Sequence, residues 1–455
     1  MLKINVSMEA KMKKIVSALL TATMLLSVTA STTLSVSAVT TDKIESGLAY
    51  TNEYGKWTYE LTASGDGYKI IGYDKSMSDI EVPSFIDNLP VVEISDFALD
   101  YCDNLTSITI PDSVTAIGRM AFMGSTNLST VNLPEGLITI GDSAFRDCSS
   151  IDSITIPSSV TSIGNYAFRN CSNIPSITLP NGLTTIGEYV FYNCTGLTSL
   201  TIPDNVTSIG NSAFRDCTNI TSITIPDGLT YLGRRAFYNC SSLTSLTIPD
   251  GVTSILNSTF YNCGNLTSLT LPESVTSIEE YAFGNCNSLT SITIPDGPTS
   301  IPKGAFSNCS SLTSIIIPDS VSAIDEDVFY RCSNLTSITI PKSLTSIAED
   351  AFIHCANLKD VYYIGSEEDW NSITIGANNY YIENATIHYN YIPPMAGDVN
   401  VDGQLGVNDV LYLLKNIVGA TALTDRQFAN ADVSGDGRLT LLDAILIQRL
   451  ILEAK

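Results

Sequence analysis

The sequence predicts a long β-solenoid followed by a small α-helical module. Cysteine, proline and phenylalanine each recur every 23 residues through the middle of the chain. A fixed period of this length is typical of a solenoid, in which each coil buries its apolar face against its neighbours. Near the C-terminus, the acidic loop GDVNVDGQLGVND at 397–409 has a copy at 432–443, with first aspartates 34 residues apart. Each loop precedes an apolar-periodic segment, which predicts an exit helix.

Length and charge set the first limits on function. A chain of 455 residues with 44% apolar content predicts two or three domains with buried cores. The 47 acidic side chains outnumber the 23 lysines and arginines, giving a formal net charge of −24. Such a surface repels nucleic acids and anionic membranes. The composition therefore argues against both as partners.

Residues 1–38 have the pattern of a secretory signal peptide. Three lysines at 11, 13 and 14 precede an apolar, small-residue run over 15–28, and Val36-Ser37-Ala38 fits a cleavage site. Cleavage after Ala30 is an alternative, and translation could start at Met8 or Met12. The alternative role of this segment is a membrane anchor. The run is short and rich in Ser and Thr for a membrane span. The sequence therefore predicts a soluble extracellular protein.

Residues 39–80 are predicted to form an N-terminal β cap. Tyr59, Leu61, Tyr68 and Ile70 flank the glycine-rich turn at 65–67, as in a β-hairpin that covers the first coil. At the other end, residues 360–390 depart from the period and are predicted to form the C-terminal cap. Repeat proteins need such caps because an open strand edge invites aggregation.

The solenoid is predicted over residues 81–359. In the coil CTNITSITIPDGLTYLGRRAFYN at 217–239, the alternation around Ile223 predicts a short strand, and Pro226-Asp227-Gly228 predicts a turn. Leu229 and Leu232 should point inward from a second extended segment. The repeated pattern resembles the leucine-rich repeats of the bacterial BspA type, and this resemblance implies an LRR solenoid of 23-residue coils.

Eleven cysteines share one position of the repeat: Cys102, Cys148, Cys171, Cys194, Cys217, Cys240, Cys263, Cys286, Cys309, Cys332 and Cys355. Stacking about 5 Å apart would bring neighbours within disulfide distance. The number is odd, however, and the chain offers no separate set of partners. We therefore expect buried free thiols that act as small hydrophobic side chains.

Two surface rows recur in register. The residue after each repeated proline is acidic in eight coils, which is typical of a turn, with a cation-binding ladder as the alternative. The position after each repeated phenylalanine is rich in tyrosine and arginine, residues that binding hot spots favour. This row, the Tyr/Arg stripe, is either a structural stripe or a candidate ligand face. Its members are Arg146, Arg169, Tyr192, Arg215, Tyr238, Tyr261 and Tyr330.

The two acidic loops are predicted to bind Ca²⁺. Alternating hard oxygen ligands on a tight loop, with glycine at the sixth position, are what this cation requires. The first loop supplies Asp398, Asn400, Asp402, the Gln404 carbonyl and Asp409. The second supplies Asp432, Ser434, Asp436, the Arg438 carbonyl and Asp443. The sequence therefore predicts two calcium ions.

After a linker at 391–396, residues 397–455 resemble a type I dockerin, the module that docks onto cohesin domains of cellulosome scaffolds. The resemblance implies that the cohesin contacts lie at loop positions 10 and 11 and along each exit helix. These contacts are Val407, Asn408, Leu411 and Lys415 in the first copy, and Leu441, Leu442, Ile445 and Arg449 in the second. Some dockerins bind in two orientations that are related by their internal symmetry. Because the residue pair at 407–408 differs from that at 441–442, the resemblance puts this dual mode in doubt here.

Together these features predict a mainly β LRR solenoid with a small all-α dockerin carrying two calcium-binding loop–helix repeats. The predicted protein is secreted and non-catalytic, and a calcium-dependent dockerin attaches it to cohesins of a cellulosome-type scaffold. Its repeats would bind protein or polysaccharide, or act in adhesion, during plant polysaccharide degradation. The alternative is a dockerin-bearing glycoside hydrolase, but its paired carboxylates need a shaped cleft that regular coils do not offer.

Overall fold

The structure is a computed structural model that describes residues 48–52, 55–391, 393, 396–401, 404–434 and 437–453. The predicted signal peptide at 1–38 lies outside the described residues. No helix in the described part of the chain is both long enough and apolar enough to cross a membrane.

The described residues form 29 strands and five helices. The strands are β1 (Leu48–Asn52), β2 (Gly55–Leu61), β3 (Tyr68–Tyr73), β4 (Asp79–Glu81), β5 (Phe85–Ile86), β6 (Leu89–Ile94), β7 (Ser107–Thr109), β8 (Ala116–Ile117), β9 (Thr130–Asn132), β10 (Thr139–Ile140), β11 (Ser153–Ile154), β12 (Ser162–Ile163), β13 (Thr185–Ile186), β14 (Ser199–Thr201), β15 (Ser208–Ile209), β16 (Ser222–Thr224), β17 (Tyr231–Leu232), β18 (Ser245–Thr247), β19 (Ser254–Ile255), β20 (Ser268–Thr270), β21 (Ser277–Ile278), β22 (Ser300–Ile301), β23 (Ser314–Ile316), β24 (Ala323–Ile324), β25 (Ser337–Ile340), β26 (Ser346–Ile347), β27 (Asp360–Tyr363), β28 (Thr374–Ile375) and β29 (Thr386–His388). The helices are α1 (Glu367–Asn371), α2 (Tyr380–Glu383), α3 (Val407–Ile417), α4 (Asp425–Ala431) and α5 (Leu441–Glu453).

The N-terminal end of the solenoid is covered by an antiparallel sheet. Strand β2 pairs with β1 and β3, and the glycine-rich turn at 65–67 joins β2 to β3 as the sequence predicts. Strand β3 then pairs in parallel with β6, so the hairpin continues directly into the coils. Trp57 is fully buried in this cap. The edge of the ladder that contains β6 is therefore paired rather than open, whereas β4, which begins the other ladder, pairs only with β7 among the described strands.

The coils stack as two parallel ladders in which each residue pairs with the one 23 positions later. On one face Ser199 pairs with Ser222, and on the other Ser208 pairs with Tyr231. In strands such as β16, the central apolar residue is buried and both neighbours are exposed, which is the alternation that a strand imposes. The ladder that contains β11 and β14 has no strand in the intervening coil. Pro175 lies there and has no amide hydrogen to donate.

Phenylalanine fills the centre of the coils. Eleven buried rings, from Phe122 to Phe352 at intervals of 23 residues, stack with centroids 5.0–5.8 Å apart. Burying one such side chain contributes about 1.5–3 kcal/mol. Leu229 and Leu232 are also buried, as expected. Each coil thus adds a similar increment of apolar burial along the axis.

All eleven cysteines are buried and free, which confirms the prediction. In ten of them, Sγ donates a hydrogen bond of 3.0–3.2 Å to the carbonyl oxygen of the phenylalanine 26 residues earlier, as Cys240 does to Phe214. Ser125 replaces cysteine in one coil, and its Oγ donates to the Leu99 carbonyl at 3.0 Å. Burial raises the pKa of the Cys194 thiol to about 12. The stacked cysteines, which we call the cysteine column, are therefore a hydrogen-bonded part of the core.

The C-terminal cap continues both ladders through longer coils. Strand β27 pairs with β25 and β29, and β28 pairs with β26. Between them, α1 begins at a capping box in which Ser366 and Asp369 exchange hydrogen bonds, and Trp370 packs against Tyr363 at 5.2 Å between ring centroids. The Ser366 amide and hydroxyl, with Lys342, hold the pKa of the Asp369 carboxyl at about 2. The cap thus buries aromatic rings where the regular core ends.

Helices α3, α4 and α5 form a small C-terminal module with its own core. Its buried apolar residues are Val399, Leu413, Ala431, Ala444 and Ile447. Leu413 and Ile447 occupy equivalent positions, because each lies four residues after the last aspartate of its loop. This equivalence places the two loop–helix repeats around one shared core.

Candidate calcium loops and binding surfaces

In the first loop, one aspartate links the loop to its exit helix. Asp409, in the first turn of α3, is 1% exposed. Its Oδ1 accepts a hydrogen bond from the Asn400 amide at 3.1 Å, and its Oδ2 accepts one from the Gly406 amide at 2.8 Å. Asp398 is fully buried, and its carbonyl accepts a hydrogen bond of 2.7 Å from Asn430 Nδ2. The first and last acidic residues of the loop are thus held in fixed positions.

The second loop repeats this arrangement. Asp443 Oδ1 accepts a hydrogen bond from the Ser434 amide at 3.0 Å, and Oδ2 accepts one from the Thr440 amide at 2.8 Å. Asp432 Oδ2 accepts one from the Gly437 amide at 2.8 Å. Gly437 has a φ of +74°, a left-handed conformation that glycine adopts without strain. The sharp turn predicted at the sixth loop position is therefore present.

The buried carboxylates suit a hard cation. Burial raises the pKa of the Asp443 carboxyl, but hydrogen bonds from Ser434 and Thr440 outweigh burial and hold the pKa below its usual value. An ionised carboxylate offers about four acceptor sites. Backbone amides take two of these at Asp409, whereas at Asp443 the Thr440 hydroxyl also donates to Oδ2, at 3.2 Å, beside the two amides. Oxygen atoms with remaining lone pairs on a tight loop match the ligands that Ca²⁺ prefers.

The third carboxylate of each predicted ligand set, Asp402 or Asp436, lies outside the described residues. The part of the chain that is described assembles no group of three His, Cys, Asp or Glu side chains around a common point. Gln404 and Arg438, predicted to contribute carbonyl oxygens, are exposed at the seventh position of each loop.

The predicted cohesin contacts form exposed positions on α3 and α5. Val407 is 68% exposed and Leu411 49%, whereas Leu441, Leu442 and Ile445 are 62%, 52% and 62% exposed. The polar members of the set, Asn408, Lys415 and Arg449, are exposed as well. The second copy therefore presents more apolar side-chain surface at its helix start than the first.

Five of the seven stripe residues contact one another. The Arg169 guanidinium lies 4.8 Å from the Tyr192 ring, and that of Arg215 lies between the Tyr192 and Tyr238 rings at 5.5 and 4.5 Å. Tyr238 stacks on Tyr261 with centroids 5.1 Å apart. All five are half-buried. Since these residues cover each other's flat faces, the outward surface consists of ring edges and polar ends.

Two stripe residues lie outside this continuous network. Arg146 pairs with Asp147 at 3.2 Å, and Tyr330 lies against Arg331 and His354. The acidic row after the repeated prolines, for example Asp227 and Asp250, is exposed on turns.

Comparisons with known protein families agree with this geometry. The model of the BspA-type leucine-rich repeat region matches six copies, at residues 92–220, 184–275 and 253–382. These matches cover more than half of the chain. The chain belongs to the BspA-type leucine-rich-repeat family. The dockerin type I domain model matches residues 396–452 of this LRR protein. Dockerin type I domains generally bind calcium and cohesins, and the two kinds of module together indicate an extracellular or cell-surface protein.

Solved structures of bacterial LRR proteins are similar to the solenoid. A leucine-rich cell surface protein from Faecalibacterium prausnitzii is 33% identical, with 72% of this chain and 98% of that chain covered and a TM-score of 0.51. An LRR protein from Bacteroides ovatus is 26% identical, with 75% and 100% coverage and a TM-score of 0.54. No match is found among curated proteins.

Three residues that extend the stripe of this LRR protein were missed by sequence reasoning. Tyr166 stacks on Tyr189 at 4.7 Å, Tyr189 contacts Tyr192 at 5.8 Å, and Tyr281 meets Tyr261 edge-on at 6.3 Å. All three have positive φ, as does this repeat position in the other coils. The same repeat position holds serine in three other coils and Phe, Met, Arg, Gly or Asp in the rest, so the residue type at this position gives no signal. The only sequence feature that they share is that each lies three residues before the stripe position of its coil.

Proposed function

We propose that this LRR protein is secreted and non-catalytic, and that its dockerin attaches it to cohesins of a cellulosome-type scaffold. The observation that carries the proposal is the repeated loop–helix unit. In both copies the last loop aspartate ties the loop to the start of a helix, and apolar side chains are exposed there. Removal of residues 1–38 as a signal peptide and a role in plant polysaccharide degradation complete the proposal.

Two calcium ions, one in each loop, support the attachment. The residues that would hold them are Asp398, Asn400, Asp402, Gln404 and Asp409 in the first loop, and Asp432, Ser434, Asp436, Arg438 and Asp443 in the second. A bound cation neutralises the clustered carboxylates, which otherwise repel one another. Asp409 and Asp443 transmit this stabilisation to α3 and α5, because they bond to the loop while belonging to the helix.

The repeats would supply binding to a protein or polysaccharide, with the Tyr/Arg stripe as the candidate ligand face. Tyrosine hydroxyls and guanidinium groups at its outer edge suit hydrogen bonding. A glycoside hydrolase is the alternative, but the acidic residues that recur in the solenoid lie in a row on exposed turns. Two carboxylates flanking a sugar bond in a cleft are needed for that chemistry.

Titration of the full chain against a panel of cohesins, with and without EDTA, tests the attachment. We expect binding only with calcium present. Asp398→Ala and Asp432→Ala should each weaken binding at least about tenfold, because each removes a ligand from a calcium site. Asp227→Ala, on an exposed turn of the solenoid, is the matched control and should bind normally. Binding that survives chelation, or no binding to any cohesin, would refute the proposal.

A further inference from the structure

The junction between the solenoid and the dockerin is short and held on both sides by backbone hydrogen bonds. On the solenoid side, the Asn390 amide donates to the Gly365 carbonyl at 2.8 Å, and the Tyr391 amide donates to the Tyr363 carbonyl at 2.9 Å. On the dockerin side, the Gly397 amide donates to the Asn430 carbonyl at 2.7 Å. Only residues 392–396 lie between these anchored ends, and Pro393 and Pro394 are among them. Proline stiffens a linker of this kind.

One side chain of the dockerin reaches across this junction. Arg426, in the first turn of α4, donates from Nη2 to the Pro393 carbonyl at 3.2 Å. Its guanidinium also lies 5.5 Å from the centre of the Tyr391 ring. Tyr391 is half-buried, and this burial raises the pKa of its hydroxyl. A charged hydrogen bond and a cation–π contact therefore connect the two domains.

The contact extends into the C-terminal cap through stacked planar groups. The Tyr391 ring lies 4.6 Å from that of Tyr362, which stacks on His388 at 4.8 Å. His388 Nε2 in turn lies 2.8 Å from Asp360 Oδ1. Tyr362 and His388 belong to the paired strands β27 and β29. The guanidinium of Arg426 thus rests on a surface that the solenoid itself keeps rigid.

The position of Arg426 within its helix points to the same role. A cation in the first turn of a helix is unfavourable, because that end of the helix carries partial positive charge. Helix α4 has its own capping box, formed by Thr424 and Gln427. Arg426 is thus not needed to cap the helix on which it lies. Its hydrogen bond to Pro393 and its contact with the Tyr391 ring lie at the junction instead.

We propose that Arg426 and Tyr391 clamp the dockerin to the end of the solenoid, so that the two domains move as one rigid unit. The clamp uses α4, while the exposed residues Val407 and Leu441 lie on α3 and α5 and stay available for a partner. Without a clamp, the bonds that flank the two prolines still rotate, so a semi-rigid linker of five residues keeps the two domains apart but allows many relative orientations. The clamp would instead fix the direction in which the repeats project from a scaffold.

Spin-label distance measurements on the full chain in calcium test the clamp. Labels are attached at Glu368→Cys in α1 and Ala422→Cys before α4, both exposed positions. The native thiols are buried, so they do not compete for the label. We expect one narrow distance distribution. Arg426→Ala or Tyr391→Ala should broaden it to a width on the order of 10 Å, as expected for a free linker.

Arg119→Ala is the matched control, because its guanidinium lies over the Phe97 ring at 4.9 Å far from the junction in sequence. This variant should keep the narrow distribution. Circular dichroism and cohesin titration check that each variant is folded, so loss of the attachment is distinguishable from loss of the clamp. If Arg426→Ala unfolds the dockerin, Tyr391→Ala, on the solenoid side, decides alone. A broad distribution in the parent, or a narrow one in a folded junction variant, would overturn the proposal.

Discussion

The cysteine column illustrates how one small side chain is repeated in a crowded core. Each thiol from Cys148 onward fills a buried space and donates to a carbonyl of the preceding coil, and Ser125 shows that a hydroxyl makes the same bond. Because burial disfavours the thiolate, the pKa of these groups is raised. The thiolate is the form that attacks thiol reagents, so these buried cysteines should be unreactive near neutral pH.

Two substitutions at Cys240 separate the contribution of its hydrogen bond to stability from the contribution of its side-chain volume. Cys240→Ala removes the donor to the Phe214 carbonyl and leaves a small void, so we expect a loss of stability on the order of 1 kcal/mol. Cys240→Ser keeps a donor and should lose less. Urea unfolding followed by circular dichroism measures both, with the less buried Ser241→Ala as control. A serine variant no more stable than the alanine variant would contradict this account.

The Tyr/Arg stripe can be tested by one double variant. Tyr238→Ala with Tyr261→Ala removes a stacked pair that contributes about 0.5–1.5 kcal/mol beyond its buried area. If the stripe is a ligand face, binding to a ligand found on a glycan or protein array should be abolished while the fold survives. Tyr231→Ala, an exposed tyrosine outside the ring network, is the control. Unchanged binding with lowered stability would favour a purely structural stripe.

At the scale of an element, the two exit helices of the dockerin are not equivalent. Replacing Leu441 and Leu442 with Asp removes exposed apolar surface, whose burial against a partner gains on the order of 1.5–3 kcal/mol per side chain. The same change at Val407 and Asn408 removes only one apolar side chain. We therefore expect the first double variant to lose more affinity for a cohesin, measured by calorimetry. Equal losses in the two variants would instead indicate that both helix starts contribute alike.

The coil as an element was only partly predictable from the sequence. The period, the inward phenylalanine and cysteine, and the Pro-Asp-Gly turn follow from residue types with strong preferences. The paired left-handed residues in each coil, such as Ser212 and Asp216, could not be predicted because most are not glycine. Hydrogen bonds between stacked coils hold these residues in the left-handed conformation. Asn239, which is also left-handed, donates from Nδ2 to Asp216 Oδ1 at 2.8 Å.

In the candidate calcium loops too, the local sequence pattern predicts one part of the structure and packing determines the rest. Alternating oxygen-bearing residues and the glycine at 437 predict the turn of the loop, and the structure has it. The hydrogen bonds that the Ser434 and Thr440 amides donate to the Asp443 carboxylate depend on where the exit helix begins. Helix boundaries are set by packing around Leu413 and Ile447 as much as by local sequence, so the spacing alone could not specify these contacts.

At the scale of the whole molecule, the solenoid behaves as a one-dimensional stack of similar units. Deleting residues 217–239 removes one full period and joins Asp216 to Cys240, which restores the repeat register. This variant should fold, unfold cooperatively and keep calcium-dependent cohesin binding. Deleting only residues 217–228 breaks both ladders and should abolish cooperative unfolding of the repeats. Calorimetry compares the two, and similar unfolding of both would argue against neighbour-only stabilisation.

The buried thiols also determine what happens after the protein loses its fold outside the cell. Unfolding exposes eleven cysteines at once, and thiolates released into an oxidising medium form disulfides at random. The folded core holds these cysteines as free thiols, so a crosslink between cysteines that lie far apart in the stack blocks the return to the stacked coils. Heat damage in air then becomes irreversible, and the lifetime of the protein depends on how slowly it unfolds.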